Sequence, residues 1–124
     1  MDSNLREKIY EICFNTRKNI LKKYSDVQGK CIEASEMIQE ELNKLMVSSK
    51  LIEGWCLYDD DSNCTDRCYD EHTWLELEDG TYIDVTADQF EYCIYDDIPE
   101  IIIGEKPYYM LYDKPKFTWL DEKE

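Results

Sequence analysis

From Asn4 to about Tyr24, Leu5, Ile9, Ile12, Cys13, Thr16 and Ile20 recur at three- and four-residue steps, with Arg6, Lys8, Lys18 and Lys22 on the far side. That spacing predicts an amphipathic helix, ended by Ser25-Asp26-Val27-Gln28-Gly29. A second helical stripe, Ile32, Ser35, Ile38, Leu42, Leu45 and Met46, predicts a helix from about Cys31 to Val47. After Lys50 the pattern changes to strand formers. Leu51 to Tyr58 reads as one strand, and Asp59 to Glu71 as a long loop with six carboxylates against Arg67 alone. His72–Leu77 and Thr81–Val85 flank Glu78-Asp79-Gly80, a hairpin signal. Ile101–Ile103 and Tyr108–Tyr112 predict one or two further strands. Two helices followed by antiparallel strands make an α+β fold.

The length of 124 residues suits a single domain spanning 1–124, and 43% hydrophobic content suits a packed core. No apolar run reaches the roughly 18 residues of a membrane span, so no membrane partner is expected. A net charge of −15, from 29 acidic and 14 basic residues, repels phosphate backbones. Nucleic acid is therefore excluded as a direct ligand, while a basic protein or peptide would be attracted. The polar start carries no secretory signal, which predicts a cytoplasmic setting. Reducing conditions then follow, so the six cysteines read as thiols rather than a disulfide framework. Cys56, Cys64, Cys68 and Cys93 contain no Cys-x-x-Cys pair, and neither a metal nor any other cofactor is expected.

Three residues carry candidate chemistry. Cys31 opens the second helix, where free N–H groups and the positive end of the dipole stabilise a thiolate. His72 is the sole histidine, and the neighbouring strand carries Asp84. A two-residue Asp79-Gly80 turn would send their side chains to opposite faces. The three-residue loop Glu78-Asp79-Gly80, with Gly80 left-handed in a G1 bulge, shifts the register by one. Asp84 then lies opposite Trp74 and shares a face with His72. A carboxylate that orients an imidazole, which in turn activates a thiol, makes a nucleophilic triad.

The ordered set Gly29-x-Cys31-x-x-Ala34-Ser35, Gly54, His72-x-Trp74-x-Glu76, Asp79-Gly80 and Ile83-Asp84-x-Thr86-Ala87-Asp88-Gln89-Phe90 resembles the transglutaminase-like superfamily. More narrowly, it is similar to small bacterial and phage-type members. The resemblance covers Gly29 to Phe90. It implies a papain-like core, a helix bearing the nucleophile packed on an antiparallel sheet bearing His and Asp. It also implies amide chemistry through a thioester, as in peptidases, amidases, deamidases and transglutaminases, on a protein, peptide or small amide substrate. Cys31, His72 and Asp84 would be catalytic. Gln28 and Gln89 are oxyanion candidates, and Trp55 and Trp74 candidates for the wall of the site. Gly29-Lys30-Cys31-Ile32 departs from the Gly-Gln-Cys-Trp of crosslinking transglutaminases. The 59–71 loop, leading into His72, is a candidate lid. The alternative from another class is a non-catalytic acidic binding module or inhibitor on the same fold.

Overall fold

The structure is a computed structural model and describes residues 2–27, 29–57, 69–90 and 97–114. Helix α1, Ser3–Tyr24, starts where the Asp2 side chain accepts the Leu5 N–H at 2.8 Å. It stops at Ser25, whose φ of 75° is left-handed. Helix α2 spans Cys31–Lys44, shorter than its apolar stripe predicts. Its end is a Schellman turn: Val47 N–H reaches the Leu42 carbonyl, Met46 N–H reaches that of Asn43, and Met46 takes a φ of 61°. No glycine announces this stop. Leu45 and Met46 therefore leave the predicted helical face, and Met46 is 93% exposed.

Among the described residues five strands follow: β1 Ser49–Leu57, β2 Tyr69–Leu77, β3 Tyr82–Asp84, β4 Ile102–Gly104 and β5 Met110–Leu111. They form one antiparallel sheet in the order β4-β3-β2-β1-β5. The molecule is thus α+β, with two helices ahead of an antiparallel sheet. Strand β2 begins earlier than the sequence predicts. Tyr69, Asp70 and Glu71, read as part of a loop, pair instead with Leu57, Cys56 and Trp55. Residues 59–68 of that loop, the rest of the candidate lid, lie outside the described residues.

The period of two sorts side chains into two cores. Leu75, Leu77 and Ile83 pack with Ile9, Ile38 and Leu42 of the helices. Trp74 and Tyr82 point the other way and pack with Cys56, Phe90, Ile98 and Met110. Among the described residues no helix is long and apolar enough to cross a membrane.

The β2–β3 hairpin fixes which side chains meet. Gly80 has a φ of 89°, its N–H reaches the Leu77 carbonyl, and the Leu77 N–H reaches that of Thr81. This is a type I turn closed by a G1 bulge, and it pairs Leu75 with Ile83 and Glu76 with Tyr82. The same register, carried one step on, sets Asp84 opposite Trp74.

Candidate active site

His72 and Asp84 share one sheet face as that register requires. His72 Nε2 lies 2.6 Å from Asp84 Oδ2, and the two residues are only 1% and 3% exposed. The Asp84 carboxylate is fully engaged. Oδ2 also accepts the Tyr82 hydroxyl at 2.5 Å, while Oδ1 accepts the Thr86 N–H at 2.9 Å and its hydroxyl at 3.3 Å. Those Thr86 bonds also turn the chain out of β3, so one carboxylate both ends the strand and holds the imidazole. Burial alone would raise the Asp84 pKa. The charge and hydrogen bond of His72, with Tyr82 and the Thr86 N–H, hold it below the ordinary value.

For His72, burial opposes the charged form, but the Asp84 carboxylate, and after it Cys31, push the imidazole up to about 9. The ring is packed edge-on by Phe90 at 5.2 Å and flanked by Trp74 at 6.0 Å. Its other nitrogen, Nδ1, is buried and makes no hydrogen bond of ordinary geometry. The thiol of Cys31 is nonetheless near enough for thiol and ring to perturb each other's ionisation.

Cys31 is the first residue of α2, half-buried, with no side chain capping the helix at Lys30. The N–H groups of the first turn thus have no helical acceptor and face the sulfur's end of the helix. Burial pushes this thiol up. The hydrogen bond and charge of His72, then the backbone N–H and hydroxyl of Thr73, more than reverse that, and the net shift is downward. Thr73 and His72 are neighbours on β2, beyond the last residue that β3 pairs. The start of α2 meets this open edge and so reaches both.

By contrast, Cys13 is fully buried, and burial together with the Asp84 charge pushes its thiol up to about 12. Cys13 and Cys31 are both free thiols. One thiol in this set is prepared for ionisation, and it is Cys31. Among the described residues no cluster of His, Cys, Asp and Glu side chains is arranged to hold a metal ion.

A cleft of about 280 Å3 opens beside the pair, lined by Ile32, Glu53, Gly54, Trp55, Glu71, His72 and Thr73. Trp55 forms part of its wall. Trp74 does not: it is fully buried behind His72, and its indole N–H donates to Glu76. Gln28 lies outside the described residues. Gln89 is committed elsewhere, its amide oxygen accepting the Gly29 N–H at 3.1 Å and its nitrogen donating to the Thr86 carbonyl at 2.9 Å. It braces the turn ahead of Cys31 against the segment after Asp84.

Several contributors escaped the sequence reading. Thr73 touches the sulfur, while Tyr82 and Thr86 hold Asp84. Arg17 of α1 grips Asp88 through two bonds of 2.8 and 2.7 Å and also donates to the Val85 carbonyl. The one available signal was position, since Tyr82 and Thr86 stand two residues either side of Asp84. A larger groove of about 510 Å3 runs along α1 past Tyr10, Phe14 and Pro99 and contains none of the three candidate residues. No protein-family model, curated protein or solved structure matches the chain.

Proposed function

We propose that the protein is a cysteine-dependent enzyme that breaks or exchanges amide bonds through a thioester on Cys31, on a core of the transglutaminase-like, papain-like kind. The observation that carries this reading is the buried 2.6 Å His72–Asp84 pair beside a helix-terminal thiol of lowered pKa. A raised His72 keeps its proton at neutral pH, and a lowered Cys31 gives its proton up more readily than an ordinary thiol. The reacting state is then a thiolate–imidazolium pair.

The thiolate attacks the carbonyl carbon of the amide, and the carbonyl π pair moves to oxygen. N–H groups at the start of α2 are placed to receive that oxyanion. Its collapse breaks the C–N bond. The leaving nitrogen takes the His72 proton, giving an amine, a thioester and a neutral imidazole. Water or a second amine then adds to the thioester, the imidazole accepts its proton, and the Cys31 thiolate leaves. Water yields an acid, and an amine yields a new amide.

Alkylation of Cys31 by iodoacetamide, followed by peptide mass spectrometry, tests the pair. Cys31 should remain reactive below its ordinary pKa of 9.0, while the buried Cys13 stays unmodified. In His72→Ala the Cys31 titration should move back up towards the ordinary value. A wild-type Cys31 that titrates like a free thiol would end the enzymatic reading and leave an acidic binding module.

A further inference from the structure

The cleft beside His72 has a chemical character of its own. In the β1–β2 register Glu53 lies opposite Thr73 and Trp55 opposite Glu71, so the four side chains share one face of the hairpin. The two carboxylates stand at diagonal corners, with the indole at a third. Thr73 is the fourth corner, the one that touches the Cys31 sulfur. Cross-strand Cβ atoms sit roughly 5 Å apart and same-strand neighbours on one face roughly 7 Å. Both carboxylates are therefore within side-chain reach of the reacting atom.

Neither the Glu53 nor the Glu71 carboxylate has a hydrogen bond or ion pair among the described residues, and both residues are exposed. Two further observations point to a ligand. His72, 1% exposed, lines the same cleft, and its buried Nδ1 makes no hydrogen bond of ordinary geometry although the Cys31 thiol lies near it. Trp55 and Tyr69, edge to face at 5.7 Å, already draw the Lys114 ammonium to 5.9 and 5.8 Å from their ring centres, so this face accepts cations.

The geometry points to a cation-selective cleft: the amide attacked by Cys31 belongs to a substrate whose ammonium or guanidinium group is held between Glu53 and Glu71 against Trp55. The volume of about 280 Å3 sets the scale. It falls just under the roughly 300–1,000 Å3 of sites that enclose a whole ligand, and suits a single basic side chain. This assignment rests on Cys31 being the reacting atom.

The test measures modification rates of Cys31 by three methanethiosulfonates: trimethylammonioethyl (cationic), methyl (neutral) and sulfonatoethyl (anionic). Wild type should prefer the cationic reagent strongly over the anionic one. In the Glu53→Gln/Glu71→Gln double variant that preference should fall about tenfold, with the neutral rate little changed. Because a net charge of −15 also attracts cations, Glu7→Gln/Glu11→Gln serves as a control. It removes two exposed carboxylates of α1 that do not line the cleft. An equal fall in both double variants, or no cation preference in wild type, would overturn the proposal. As a second arm, Nα-acetyl-lysine amide and Nα-acetyl-arginine amide should slow modification by the neutral reagent in wild type more than Nα-acetyl-norleucine amide does. Equal protection by the three would likewise overturn it. The neutral-reagent rate separately reports whether Cys31 is an activated thiol, so a failed catalytic reading is distinguishable from a failed charge assignment.

Discussion

The Asp84 carboxylate faces donors alone: protonated His72 and the Tyr82 hydroxyl on one oxygen, the Thr86 N–H and hydroxyl on the other. This makes Asp84→Asn more than a loss of charge. The Thr86 backbone N–H cannot become an acceptor, so the amide oxygen must stay on that side and the NH2 must face His72 and Tyr82. His72 is then forced to accept at Nε2, which fixes it neutral with its proton on Nδ1. With the carboxylate charge gone as well, the imidazolium that lowers the Cys31 pKa is lost. Alkylation of Cys31 near neutral pH should slow by about tenfold for each unit its pKa recovers. Urea unfolding should show a cost of about 1–3 kcal/mol, against about 3–5 kcal/mol for Asp84→Ala, which leaves buried His72 unpaired. Unchanged alkylation in Asp84→Asn would show that His72 does not govern the thiol. Cys31, His72 and Asp84 were legible in the sequence because each is a reactive type at a telling place in a helix or hairpin. Tyr82 and Thr73 were not, since an aromatic and a β-branched residue in a strand look like ordinary sheet formers.

At the level of elements, the hairpin was legible to the residue because a three-residue turn with glycine at its left-handed position admits one register. The early start of β2 was not. Tyr69-Asp70-Glu71 lacks strand character, and its extended form comes from pairing with β1. The end of α2 was hidden for a related reason, its left-handed cap being Met46 instead of glycine. The Thr86-Ala87-Asp88-Gln89-Phe90 segment could be recognised as a pattern, but its separate tasks could not be read from it. Thr86 binds Asp84, Asp88 binds Arg17, Gln89 braces Gly29 and Phe90 packs on His72. Two glycines separate the roles of backbone and space. At Gly54 an added Cβ would lie 2.2 Å from the Trp74 ring and 2.5 Å from the Leu111 carbonyl. At Gly80 it would meet nothing within 4 Å, but the φ of 89° remains. Gly80→Ala should therefore cost about 1 kcal/mol in urea unfolding with the near-ultraviolet Trp spectrum intact. Gly54→Ala should cost about 1–3 kcal/mol and change that spectrum, because Trp74 or β5 must move. Equal costs with unchanged spectra would contradict the packing of Trp74 over Gly54.

For the molecule as a whole, Cys31, His72 and Asp84 couple folding to pH in a way that none of them does alone. His72 alone, raised from 6.5 to about 9, would supply stability that is complete below about 6.5 and lost as pH climbs through about 9. Cys31, lowered from 9.0, has the opposite slope: it adds stability as pH rises from its folded value towards 9.0. Proton counting shows the cancellation. Where the folded pair is thiolate–imidazolium it holds one proton, on His72; the unfolded pair between 6.5 and 9.0 also holds one, on the thiol. Wild-type stability should then be nearly level over the part of that interval where the folded thiol is ionised, as far as these two groups decide it. Cys31→Ala removes the thiol's proton from the unfolded count and leaves the folded imidazolium in place. Its stability should fall as pH rises above about 6.5, with a slope approaching 1.4 kcal/mol per pH unit. The loss is completed below 9, because the thiolate no longer helps to raise His72. Above 9 both proteins should weaken together. Unfolded Cys13 ionises there with its ordinary value of 9.0, whereas the folded thiol holds its proton to about 12. The acid limb should also be shared, since Asp84 supplies stability above 3.8 that fades as pH falls through its lowered folded value. Urea midpoints for wild type and Cys31→Ala between about pH 6 and pH 10 test this, and the difference curve cancels every group the two proteins share. Parallel curves across that interval would mean that Cys31 and His72 do not share a proton, and the thiolate–imidazolium pair would be excluded.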